Sequence, residues 1–84
     1  MSYRILVRPE ARTTLLALPK PTRRQLQHAI DALADEPRPT HAIALTDQPN
    51  TLRIHTADHH ILYTVHEGEV LILVIDNHGP AMTK

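Results

Sequence analysis

The chain has 84 residues, with nine basic and nine acidic side chains, seven His and no Cys. That length predicts one domain spanning 1–84, with no room for a second core. The absence of Cys excludes a disulfide framework and a thiolate nucleophile, and formal neutrality argues against a nucleic-acid binder held by bulk charge.

The apolar fraction of 42 % is enough to fold, but without Phe or Trp the core must come from Leu, Ile, Val and Ala. So small a domain often relies on a partner to cover apolar surface. Tyr3–Val7 alternates, with Tyr3, Ile5 and Val7 on one side and Arg4 and Leu6 on the other, and reads as a first strand. Pro9 suits the first position of a helix, where a missing N–H costs nothing. Ala11, Leu15 and Leu18 follow at helical spacing until Pro19 and Pro21 stop the run.

Thr22 and Gln25 are spaced as a capping box, with Thr22 as N-cap of a second helix. Leu26, Ala29, Ile30, Leu33 and Ala34 then recur on one helical face, and Pro37 ends the helix. Arg38-Pro39-Thr40 reads as a linker. His41–Leu45 reads as a short strand with Ile43 and Leu45 pointing inward, and Thr46–Asn50 as a turn by composition.

Thr51–Tyr63 is the stretch around which the chain is organised. Two alternating runs meet at Ala57-Asp58, which predicts a β-hairpin. Leu52, Ile54 and Thr56 point one way in the first arm, and Ile61, Tyr63 and Val65 share a face in the second. Pairing the apolar sets leaves Arg53, His55 and His60 together on the opposite face. Glu67-Gly68 is a second tight turn. Val70–Ile75 is apolar on both faces, which predicts a central strand covered on both sides. The helices can cover one side; the other needs the His-bearing face or a partner.

The expected architecture is therefore α+β: an N-terminal strand, a two-helix hairpin, then a three- to four-stranded antiparallel sheet with the helices on one face. The N-terminus reaches Arg4, Arg8 and Pro9 before any apolar run develops, so no signal peptide is expected. The run Val70–Ile75 is too short to span a bilayer. Both features favour a cytoplasmic location.

In order along the chain, Tyr3–Val7 with Pro9-Glu10-Ala11, Leu15–Pro19, Ala29–Leu33 with Pro37, Leu52-Arg53-Ile54, Asp58, Ile61-Leu62-Tyr63 and Val74–His78 resemble the RelE/ParE superfamily of type II toxin–antitoxin toxins. His55, His60 and His78 stand where that family carries basic residues, and Lys84 lies about where it often has a tail Tyr. The resemblance implies a RelE-like fold, a cognate antitoxin partner within a hetero-oligomer, and no cofactor or metal. For a ribosome-dependent member it also implies the ribosome and mRNA as targets. Arg53, His55, His60 and His78 would then be the catalytic set, with Arg23, Arg24 and Lys84 as RNA contacts. Two other readings stay open: a ParE-like gyrase inhibitor, and a catalytically degenerate fold that only binds its antitoxin.

RNA cleavage of this kind needs a base for the 2′-OH, an acid for the leaving 5′-oxygen and cations on the phosphorane. Imidazole suits both proton transfers, and a guanidinium can clamp the phosphate. Plainer accounts compete. A His on a strand face is usually a solvated polar residue, Arg53 could pair with a cross-strand carboxylate, and Arg23 and Arg24 could be a solvated helix end. His59 and His60 are adjacent and so point to opposite faces, which disfavours metal binding. His28, His41 and His66 read as surface residues, Tyr63 as a packing residue and Asp58 as a turn former.

Overall fold

The computed structural model describes residues 2–45 and 47–77. Its elements run β1 (Arg4–Val7), α1 (Pro9–Ala17), α2 (Lys20–Ala32), β2 (Ile43–Leu45), β3 (Gln48–Thr56), β4 (His59–His66) and β5 (Glu69–Asn77). The strands form one sheet in the order β1-β5-β4-β3-β2. β2 to β5 are an antiparallel meander, as expected, and β1 adds to β5 in parallel as a fifth strand. A parallel pair needs a crossover, and the helix hairpin supplies it.

The helices bury one face of that sheet. Ala11 and Leu15 of α1, and Leu26 and Ile30 of α2 with Leu33 just beyond it, pack on Leu52, Ile54, Ile61, Tyr63, Val65, Val70, Ile72 and Ile75. Tyr63 is the largest side chain in this core, and its hydroxyl donates to the Pro37 carbonyl at 2.8 Å. That bond pins the segment after α2 to the middle of the sheet. Burial pushes the Tyr63 pKa up to about 12, against a smaller opposing pull from Arg38. Among the described residues no helix is long and apolar enough to cross a membrane.

Four local expectations need correction. The capping box at Thr22 is absent: α2 begins at Lys20, with Pro19 at its N-cap and no side-chain cap bond. Proline fits the first turn because its φ is preset and its missing N–H would be an orphan there. Pro19 and Pro21 therefore start this helix as well as ending α1, and the Arg23 N–H bonds the Pro19 carbonyl at 2.8 Å. The far end tightens through i→i+3 bonds, from Leu33 to Ile30 and Ala34 to Asp31, before Pro37 arrives.

The turn expected over Thr46–Asn50 is shorter, because β3 already starts at Gln48; Thr46 itself lies outside the described residues. The ladder is irregular there, with the register shifting between Ala44 and Leu45 opposite a stretch that contains Pro49. Proline has no N–H to donate, so such a break suits it. Ile43 is not inward: it is 55 % exposed on an edge strand of three residues, where little covers either face.

Strand β5 is covered on one face only. Val70, Ile72 and Ile75 are buried, whereas Leu71 and Leu73 are half-buried and Val74 is exposed. A bulge explains the uneven spacing. Tyr63 pairs with Ile72 and Leu62 with Val74, so Leu73 is an extra residue and the alternation changes phase.

Candidate active site

The β3–β4 and β4–β5 hairpins turn on residues with positive φ. Ala57 and Asp58 stand at 52° and 62°, and Glu67 and Gly68 at 44° and 83°. Two positive-φ residues make the tight turn whose twist matches antiparallel strands. In the first hairpin this sets the register His55 opposite His60, Arg53 opposite Leu62 and Ile54 opposite Ile61. His59, by contrast, points to the covered side and is buried, and its Nδ1–H donates to the Ala57 carbonyl at 2.8 Å. A carbonyl only accepts, so that nitrogen carries the proton.

The open face of the sheet thus presents a row across three strands. His55 of β3, His60 of β4 and Asp76 of β5 are successive cross-strand partners. The two imidazoles meet edge to face, with centroids 5.1 Å apart and planes at 66°. Arg53 lies one row along on the same face, opposite Leu62 and next to Ile43 of β2. On the covered side, Ile54, Ile61 and Ile75 are cross-strand partners and almost wholly buried. They hold the backbone of all three strands at the level of the row. His55 is exposed, while His60 and Arg53 are half-buried, so solvent or a ligand reaches each of them.

The expected convergence of Arg53, His55 and His60 is therefore present in the fold. His78 and Lys84 lie outside the described residues. Arg23 and Arg24 belong to the helical layer, across the sheet from Arg53. Arg23 is half-buried, with its Nη1 donating to the Leu16 carbonyl at 3.4 Å, and so ties the two helices together. Arg24 is exposed and lines a groove of about 380 Å³ with Gln25, His28, Ala29 and Thr56. His28, His41 and His66 are exposed, as expected. Among the described residues no three His, Cys, Asp or Glu side chains are grouped so as to hold a metal ion. Asp76 is the member of the row that sequence reasoning passes over. Plain alternation from Val70 puts it on the covered side, and only the bulge at Leu73 turns it outward.

No family model and no curated protein matches the chain. Solved structures do. The archaeal RelE of the RelE–RelB complex from Pyrococcus horikoshii superposes with a TM-score of 0.83 at 25 % identity, covering 95 % of this chain and 99 % of that one. The chain has the fold of the RelE toxins. Two more distant RelE-like structures share the fold. The Mycobacterium tuberculosis toxin–antitoxin complex RelBE2 matches at a TM-score of 0.75 and 21 % identity, over 92 % of this chain and 99 % of that one. The isolated Escherichia coli RelE toxin matches at 0.82 and 16 %, over 98 % and 93 %. The RelE-like sheet of this chain thus carries its imidazole row within a fold shared almost end to end.

Proposed function

We propose that this RelE-like chain is the toxin of a type II toxin–antitoxin pair and that it cleaves mRNA on the ribosome. The observation that carries the proposal is the placement of two imidazoles 5.1 Å apart beside Arg53 on an open sheet face. In the cleavage step one imidazole takes the proton of a ribose 2′-OH, and the freed oxygen attacks the adjacent phosphorus. The bond from phosphorus to the 5′-oxygen breaks, and the second imidazole protonates that oxygen. The products are a 2′,3′-cyclic phosphate and a 5′-hydroxyl. Arg53 offers parallel N–H donors to the phosphoryl oxygens, where negative charge builds up in the transition state. His78, Arg23, Arg24 and Lys84 are proposed as further RNA contacts.

An antitoxin partner is proposed from two directions. The Pyrococcus and Mycobacterium relatives were each solved in complex with an antitoxin. Independently, the open face carries Leu6, Ile43, Leu71, Leu73 and Val74 with only partial cover, and Leu16 is exposed elsewhere. Small domains commonly hide such surface against a partner.

Induced expression tests the reading. The account expects translation to stop within minutes and ribosome-bound mRNA to be cut into fragments with 5′-hydroxyl ends. DNA breaks with intact mRNA would instead indicate gyrase inhibition, and unimpaired growth a fold that only binds its antitoxin.

A further inference from the structure

The imidazole row ends in an acid. Asp76 is exposed, and among the described residues its carboxylate takes part in no hydrogen bond or ion pair. A carboxylate beside the cleavage site repels phosphate, so it does not serve the RNA backbone. Its surroundings suit a nucleobase. β1 stops at Val7, which pairs with Ile72, so among the described residues no strand flanks Asp76 on its outer side. Leu62 and Val74 are cross-strand partners one same-face step, about 6–7 Å, from the His60–Asp76 pair. Leu62 is half-buried and Val74 is 37 % exposed, so both offer aliphatic surface to the open side. An imidazole and a carboxylate in one row thus stand beside two aliphatic groups in the next, at the margin of the sheet.

Single-stranded RNA is read where unstacked bases lie against side chains and present their edges to polar groups. An ionised carboxylate only accepts hydrogen bonds. Among the four bases, guanine alone carries two adjacent donors on its Watson–Crick edge, the ring N1–H and the N2 amino group. Adenine and cytosine set their amino group beside a ring-nitrogen acceptor, and uracil sets its N–H between two carbonyls. Each of those three brings a lone pair up against the carboxylate.

We infer that Asp76, Leu62 and Val74 form a subsite for a guanine base in a nucleotide flanking the scissile phosphate. Asp76 accepts from both guanine donors while the ring lies against Leu62 and Val74. The inference rests on the cleavage reading and deepens it by naming the preferred base. His60, directly opposite Asp76, faces the phosphate next to that base. A carboxylate that guanine satisfies and the other bases leave unpaired selects by penalty as well as by attraction. The bulge at Leu73 sets up the subsite, because it turns both Val74 and Asp76 outward.

Two measurements on the parent, Asp76→Asn and Asp76→Ala proteins test this. The first is single-turnover cleavage of ribosome-bound mRNAs that differ only in the two nucleotides flanking one cut site. The parent should cut guanine-containing sites about tenfold to a hundredfold faster than sites lacking guanine. Both variants should lose that preference, chiefly by slowing at guanine sites. Equal rates at all sites in the parent, or a guanine preference that persists in Asp76→Ala, overturns the inference. So does a uniform gain in rate at every site in the variants, which would mark Asp76 as a phosphate repellent only. The second measurement needs no activity and decides the matter if the parent cuts no mRNA. It is an NMR titration with dinucleotides whose 2′-oxygen is methylated to block cleavage, read at the Leu62 and Val74 methyl groups. Tighter binding of guanine dinucleotides that Asp76→Ala abolishes would then uphold the subsite and sink the nuclease reading alone. Binding indifferent to the base, or none, would sink both.

Discussion

The two faces of this sheet use the same strands for opposite purposes. On the covered face, Ile54, Ile61 and Ile75 run across β3, β4 and β5 under the helices, each nearly inaccessible to water. One residue away along each strand, His55, His60 and Asp76 form a parallel row that solvent reaches. The rigid apolar row sets the backbone, and the backbone sets the imidazoles. Stability and chemistry are therefore segregated by side-chain parity, so a substitution should damage one while sparing the other.

The largest expected break in that contrast is in the core. Leu26→Ala removes a wholly buried side chain beneath the sheet and should cost about 2–5 kcal/mol in denaturant unfolding, a large share of a small domain's stability. Tyr63→Phe is milder. It leaves the Pro37 carbonyl without its hydroxyl donor and should cost about 1–3 kcal/mol.

The same tyrosine predicts an alkaline signature. Its folded pKa is raised to about 12 from an ordinary 10.0, chiefly by burial, so the folded state holds the phenol proton more tightly than the unfolded state does. The stability this contributes is fully present below pH 10.0 and lost as pH rises toward 12. Unfolding midpoints should fall across that window in the parent protein and fall less in Tyr63→Phe.

A smaller effect, of opposite sign, is expected at the hairpin tip. Ala57 holds a φ of 52°, a conformation that strains a residue with a Cβ. Ala57→Gly should raise stability by up to about 1 kcal/mol while keeping the His55–His60 register. A lower melting temperature would show that the tip is not strained. The smallest effects on folding belong to the open face. Arg53→Ala and His55→Ala should each shift stability by no more than about 0.5 kcal/mol.

This segregation also explains what the sequence could and could not disclose. Alternation over Leu52–Thr56 and His59–Val65, hinged on a two-residue turn, places Arg53, His55 and His60 on one face without reference to the rest of the chain. Leu26, Ile30 and Leu33 likewise mark the buried stripe of α2 by spacing alone. The start of α2 is harder to read, because Pro19-Lys20-Pro21 is compatible with both a stop and a start, and tertiary packing decides. Ile43 looks inward by composition but sits on a three-residue edge strand that nothing described here covers. Asp76 is hidden by the bulge: the run from Val70 to Ile75 is apolar throughout, so its pattern does not show where the alternation changes phase. The RelE-like resemblance rests on an ordered set of short segments, and superposition with the Pyrococcus structure establishes the shared fold.

The most direct test of the central claim compares His60→Ala with the parent protein at matched stability, on ribosome-bound mRNA. The account predicts a loss of cleavage rate of about 10²–10⁴-fold, the usual worth of a positioned acid–base group, with an unfolding midpoint close to the parent's. Undiminished cleavage by His60→Ala would contradict it, and the imidazole row would then be surface decoration on a RelE-like sheet.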